Sequence, residues 1–140
     1  MTGSVPVRVF AESVAVDGTG EIADDQCFIT LRHENGSISS IGYLSSGSKS
    51  FPKERIEVFG GGKVGVIDDY KSLSINTGGK TDVKKMAMDK GHQQEIIAWG
   101  ESINQGQPSP ISWSEIRAVT QASILAIRSL REGQAFDFGG

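Results

Sequence analysis

The residues able to do chemistry are few, and their spacing decides against most of the reactions they could serve. Gly18-Thr19-Gly20-Glu21-Ile22-Ala23 has the outline of a dinucleotide fingerprint. A working one leads from a strand through the glycines into a helix whose free amides hold pyrophosphate. Here Asp24-Asp25-Gln26 and a further strand follow, so the segment reads as a loop between strands. Gly79-Lys80-Thr81 resembles the end of a phosphate loop, but Ser74 stands where its first glycine belongs and no apolar helix follows. It reads as a turn. Gly60-Gly61-Gly62 reads as a hairpin turn, with a ligand-adjacent loop as the alternative.

The two histidines, His33 at a strand end and His92 at a helix start, have no ligand-like spacing, and no metal site is expected. Asp68-Asp69 are adjacent, so on a strand they point to opposite faces and do not act as a pair. They read as solvated carboxylates entering a turn. No serine stands in a Gly-x-Ser-x-Gly elbow beside a base. Cys27 is the single cysteine, set in the apolar run Cys27-Phe28-Ile29, and a buried thiol is expected. No catalytic residue, no cofactor-binding residue and no metal ligand is assigned.

The elements that must position these groups are strands up to about residue 76 and mainly helices after it. Val5–Phe10, continued by Ser13–Val16, and Cys27–His33 alternate in hydropathy. Asn35-Gly36, a pair suited to a type I′ turn, joins the latter to Ile38–Leu44. Arg55–Phe59 and Lys63–Ile67 flank the three glycines, and Ser72–Ile75 is a further strand. Thr77–Asp89 is polar and lysine-rich and reads as an exposed connection.

A helix is predicted from His92 to Gln105, ended by Gly106, with Ile96, Ile97, Gly100 and Ile103 on one side. That side is expected to pack on the sheet, so Ile97→Asp is expected to unfold the domain by burying an unpaired carboxylate. Ser112-Trp113-Ser114-Glu115 has the form of a capping box, opening a second helix to about Arg131 that Gly133 ends. The fold class expected is α+β: a largely antiparallel (mixed) β-sheet of about six strands with two helices packed on one face. Ser39, Arg32, Thr30 and Glu57 belong to the uncovered face, with Phe10, Phe28 and Phe59 expected beside them. Such a face meets another domain or subunit.

With 140 residues the chain suits a single domain able to bury a core. The net charge of −3 gives no basic face for nucleic acid, and the lysines at 80, 84, 85 and 90 are interrupted by Asp82 and Asp89. No stretch reads as a signal peptide or membrane span, and the protein is expected in the cytoplasm.

Two segments carry a resemblance. One is Lys53-Glu54-Arg55-Ile56-Glu57-Val58-Phe59-Gly60-Gly61-Gly62-Lys63-Val64-Gly65-Val66-Ile67-Asp68-Asp69-Tyr70. The other runs Lys90-Gly91-His92-Gln93-Gln94-Glu95-Ile96-Ile97-Ala98-Trp99, then Gly106–Ile111, Ala118–Ala122 and Ser129–Gly133. In this order the chain, from about Val5 to Phe138, resembles the C-terminal domain of the glucose-fructose oxidoreductase / inositol dehydrogenase (Gfo/Idh/MocA) oxidoreductases.

The resemblance implies a parent enzyme whose N-terminal Rossmann domain holds NAD or NADP. The present domain would then contribute substrate pocket and subunit interface without being active alone. The family's dinucleotide glycines and its Glu-Lys-Pro lysine have no counterpart here, so no catalytic residue carries over. Tyr43, Lys49, Lys53 and Arg55 are the candidate substrate-facing groups, suited to a sugar, polyol or anionic sugar derivative. The partners implied are the Rossmann domain and a second copy through the open sheet face. A non-catalytic dimerisation or protein-interaction module is the alternative.

Overall fold

The computed structural model describes residues 2–15 and 22–139. The Gly18–Ala23 segment therefore lies largely outside the described residues, as does Val16. The chain divides into two compact units: Thr2–Gly47 with the segment from Ile111 onward, and Ser48–Pro110.

The first unit is built on β1 (Pro6–Ala15), β2 (Ile22–His33), β3 (Ile38–Leu44) and the two-residue β8 (Phe136–Asp137). They form an antiparallel sheet in the order β3-β2-β1-β8. Helix α2 (Trp113–Glu132) packs across β1 and, to a lesser extent, β2. Alternation decides which side it covers. Val9, Ala11, Ile29 and Leu31 occupy one face by register, and the buried cluster of Val9, Ala11 and Ala126 forms where the helix meets it. The small residues Ala11 and Ala126 let backbone approach backbone, while Ile29, Leu125, Leu130 and Phe136 close the margins.

Both ends of α2 follow local chemistry. The Ser112 hydroxyl accepts the Glu115 N–H at 3.2 Å, and the Glu115 carboxylate accepts the Ser112 N–H at 2.9 Å. Gly133 closes the helix with φ 65°, a left-handed conformation that costs a side chain energy. Arg128 stacks 4.2 Å from the Phe136 ring centroid, tying the last turn to β8.

The β2–β3 connection departs from the expected type I′ turn. Gly36 has positive φ but Asn35 does not. The Gly36 N–H bonds the His33 carbonyl, and the His33 N–H bonds the Ser37 carbonyl. Asn35 instead uses its side chain, whose oxygen accepts the Ser37 N–H at 3.0 Å. This three-residue loop with one left-handed glycine closes the hairpin equally well.

The second unit is an antiparallel meander, β4 (Arg55–Gly60), β5 (Lys63–Asp68), β6 (Ser72–Thr77) and β7 (Lys80–Lys85), followed by α1 (His92–Asn104). Gly61 and Gly62 both have positive φ in a two-residue loop, so the type I′ geometry is found here. Gly78 and Gly79 do the same between β6 and β7.

The α+β class and antiparallel pairing hold, but the expected single sheet of about six strands is corrected. Among the described residues there are eight strands in two four-stranded sheets. The added strands are β8 and β7. The latter, Lys80–Lys85, lies inside the segment read as an exposed connection. Its only apolar residue is Val83, so it has no hydrophobic alternation to reveal it. Backbone pairing with β6 makes it a strand.

The two-helix packing is also corrected. α1 buries none of its residues, and Ile96, Ile97, Trp99 and Ile103 are all exposed. Among the described residues α2 alone packs closely on a sheet. On the open side of the first sheet, Phe10, Phe28, Thr30 and Arg32 share a face, as expected. Ser39 lies opposite Leu31 on the helix-bearing side, and Glu57 and Phe59 belong to the other sheet.

Candidate functional site

The four candidate substrate-facing residues are split between the units. Tyr43 stands on β3, exposed, opposite Cys27 on the helix-bearing side of the first sheet. Lys49, Lys53 and Arg55 belong to the second unit, along the segment entering β4, and all three are exposed. Arg55 is engaged: its Nε donates to Glu57 Oε1 at 2.8 Å. The three cations therefore share a unit, and Tyr43 does not join them within it.

The same segment carries a polar cluster that sequence reading passed over. The chain turns after Asp68-Asp69 as expected, through Asp69 (φ 48°) and Tyr70 (φ 52°). The expected solvated carboxylates are corrected at Asp69, whose side chain is 16% exposed and paired with Lys71. Left-handed φ at two successive non-glycine residues is uncommon and must be held by surrounding bonds. The Asp69 N–H donates to the Glu54 carbonyl at 2.7 Å, and Lys71 Nζ donates to Asp69 Oδ2 at 2.5 Å. That bond from Lys71, helped by the Lys53 backbone N–H, holds the Asp69 carboxyl below the usual carboxylate range.

Lys90 completes the cluster. It donates to Glu54 Oε1 at 2.6 Å and lies 5.7 Å from the Tyr70 ring centroid. The bond to Glu54 pushes the Lys90 ammonium above its ordinary pKa. Glu54 Oε2 is shielded from solvent and has no hydrogen-bond partner among the described residues. Asp68-Asp69-Tyr70 and Lys90-Gly91-His92 were both visible in the sequence. No spacing rule couples residues 54, 69 and 90: the β4–β5 pairing sets Glu54 beside Asp69, and the chain after β7 returns past Lys71 to bring Lys90.

The remaining chemical groups are structural. Cys27 is buried, and burial, then Asp24 and Asp25, raise its thiol pKa. The buried His33 ring links Ser39 Oγ at 2.7 Å to the Ser4 carbonyl at 3.0 Å, fastening the chain start to the sheet. Among the described residues no group of three or more His, Cys, Asp or Glu side chains comes together to hold a metal.

Carboxylates stand at both helix starts. At α2 the Ser112 hydroxyl accepts the Glu115 N–H, and the Glu115 carboxylate beside it would repel a phosphate. At α1, Asp89 already accepts the Gly91 N–H and Glu95 occupies the first turn.

No protein-family model matches the chain, and no curated protein does. Solved structures match it along nearly its whole length. Aldose-aldose oxidoreductase from Caulobacter crescentus, complexed with glycerol, superposes over 97% of this chain with TM-score 0.75 and 18% identity. An oxidoreductase from Agrobacterium radiobacter, in complex with NAD+, L-tartaric acid and magnesium, superposes over 99% with TM-score 0.76 and 18% identity. UDP-N-acetylglucosamine 3-dehydrogenase from Acidithiobacillus ferrooxidans covers 93% with TM-score 0.72 and 18% identity. The chain has the fold of part of these oxidoreductases. They are of the Gfo/Idh/MocA type that the sequence resembles. The chain spans less than half their length: 42%, 44% and 42% respectively.

Proposed function

We propose that the chain is the C-terminal domain of an NAD(P)-dependent oxidoreductase acting on a sugar, polyol or related carbonyl or hydroxyl compound. It contributes to the substrate pocket and the subunit interface and is not catalytically competent alone. The observation that carries this reading is the lopsided coverage: the fold match takes in 97% of this chain but 42% of the sugar-linked oxidoreductase.

Hydride transfer requires a cofactor held beside the substrate carbon. In this reading a Rossmann domain holds NAD or NADP, and the present domain presents polar groups to the substrate. Tyr43, Lys49, Lys53 and Arg55 are the proposed groups. Cationic side chains near the β4 start suit hydroxyl-rich or anionic substrates, and the Glu54–Lys90 pair beside them would stiffen that rim. The proposed location is the cytoplasm. No helix among the described residues is long and apolar enough to cross a membrane.

Thermal denaturation of the 140-residue chain against a panel of sugars, polyols and sugar acids tests this reading. A ligand at about a hundred times its Kd stabilises by roughly 2.7 kcal/mol. At least one compound is expected to raise the melting temperature, with the shift reduced in Lys53→Ala and Arg55→Ala. Titration with NAD+ or NADP+ is expected to give negligible heat. Micromolar dinucleotide affinity, or no response across the whole panel, would count against it. The second reading, a non-catalytic dimerisation module, draws on the exposed Phe28 and Ile38 of the open sheet face. It predicts self-association with no response to any ligand.

A further inference from the structure

The tip of the β2–β3 hairpin fastens the segment that leads into β1. Asn35 Nδ2 donates to the Thr2 carbonyl at 2.9 Å, and the Asn35 N–H donates to Ser4 Oγ at 3.1 Å. The Glu34 N–H donates to the Val5 carbonyl at 3.1 Å. The His33 ring adds its bond to the Ser4 carbonyl. Residues Thr2–Val5 are thus strapped by three consecutive residues, His33–Asn35, and all of them belong to the first unit.

Asn35 carries a reactive amide, because Gly36 follows it. Glycine has no Cβ, so its backbone nitrogen can approach the carbonyl carbon of the preceding asparagine side chain. The Gly36 nitrogen gives up its proton to solvent base and attacks Asn35 Cγ. The Cγ–Nδ2 bond breaks, and the nitrogen leaves as ammonia with a proton taken from water. Water then opens the resulting five-membered imide at either carbonyl. The products are aspartate, and isoaspartate in which the main chain runs through the former side chain.

The loop both prepares and restrains this reaction. The Ser37 N–H donates to Asn35 Oδ1 at 3.0 Å and polarises the carbonyl under attack. The Gly36 N–H, which must be lost, is held by the His33 carbonyl at 2.9 Å, and the departing Nδ2 is held by Thr2. Both restraining bonds must open before the ring can close.

We infer that Asn35 is a modification site gated by the Thr2–Val5 strap, and that its conversion to an acid releases the strap. Nδ2 is the donor in the bond to Thr2. A carboxylate in its place has only acceptor oxygens and faces another acceptor, the Thr2 carbonyl. Isoaspartate also lengthens the backbone of the loop. The change is one-way, so an aged chain keeps a loosened entry to β1.

Peptide mapping of the 140-residue chain, aged in mildly alkaline buffer, tests the site. Cleavage after lysine and arginine yields His33–Lys49, in which Asn35 is the sole amide side chain. The expected result is a gain in mass from NH2 replaced by OH, divided between two separately eluting forms. Asn76 and Asn104, followed by Thr77 and Gln105, are expected to stay intact over the same period. With two hydrogen bonds to open, conversion is expected to run about tenfold slower in the native chain than in urea. Ser4→Ala, which removes the Asn35 N–H partner, is expected to raise the native rate. Asn35→Asp is expected to speed amide hydrogen exchange at Glu34 and leave Ala11, in the α2 seam, unchanged.

An Asn35 that gains no mass overturns the site. Equal rates in the native and urea-unfolded chains, or an unchanged rate in Ser4→Ala, overturn the gating. Unchanged exchange at Glu34 in Asn35→Asp, or faster exchange at Ala11 as well, overturns release of the strap as a separate event. If Asn35→Asp fails to fold, the same two amides are read in the aged parent chain.

Discussion

The Ser129 hydroxyl accepts the backbone N–H of Ala11 at 2.9 Å in the seam between α2 and β1, joining residues 118 apart in sequence. The same hydroxyl donates to the Gln134 carbonyl at 2.6 Å. β8 is too short to continue the ladder: it pairs with Arg8 and Val9 and leaves Ala11 without a strand partner on that side. Ser129, with no exposed surface, supplies the missing acceptor. Ser129→Ala is expected to destabilise the first unit by about 1–3 kcal/mol, the range for leaving a buried amide unsatisfied. Urea denaturation measures this as a lowered midpoint at unchanged slope. A midpoint equal to that of the parent would mean that water or a backbone shift replaces the hydroxyl.

The capping box of α2 has a separate and smaller effect. Ser112→Ala removes the acceptor for the Glu115 N–H and frees the reciprocal carboxylate. A loss of about 1 kcal/mol is expected. The Ser112→Gly variant should lose less, because glycine also serves at this position. Thermal melts of the two variants side by side check the order.

Acid is expected to weaken the Asp69 turn. The Lys71 bond holds the folded Asp69 carboxyl below its ordinary range. The sign follows from proton linkage: the stabilisation is complete above the unfolded pKa near 4 and is lost as pH falls through the lower folded value. Asp69→Asn should therefore flatten the fall of the urea midpoint between about pH 5 and pH 2. Glu115 and Glu132, held low by Ser112 and Arg128, leave a residual slope in that variant. Equal slopes in the parent and Asp69→Asn would remove Asp69 from the account.

Ile97→Asp is expected to leave the melting temperature of this chain close to that of the parent, within the roughly 0.5 kcal/mol typical of surface changes. The residue is 50% exposed on a helix with no buried position. Burial of an unpaired carboxylate, the mechanism that would unfold the domain, does not arise at an exposed site. A large drop in melting temperature would place α1 against a covering surface.

Much of the candidate site was legible in parts but not as a whole. The doubled glycines at Gly61-Gly62 announced a hairpin, and Asp68-Asp69 announced a turn. That the turn draws Glu54, Lys71 and Lys90 around it depends on the pairing of Arg55 with Asp68, which fixes where the β4 entry lies. Lys49, Lys53 and Arg55 lie near one another in sequence and share a unit for that reason. Tyr43, only a few residues earlier, falls in the other unit because the chain leaves the first sheet after β3.

The sequence by itself determined the elements whose signals are local. The capping box of α2, the glycine stops of both helices, the alternation of β1 and β2, and the buried Cys27 needed no partner to be read. Only the tertiary structure decided what each element packs against. β7 carries one apolar residue and is a strand through backbone pairing, which side-chain periodicity does not report. The apolar spacing of α1 resembles that of a buried helix, yet among the described residues α2 alone packs closely on a sheet. Periodicity states which side of a helix avoids water. Which surface covers that side depends on contacts distant in the chain.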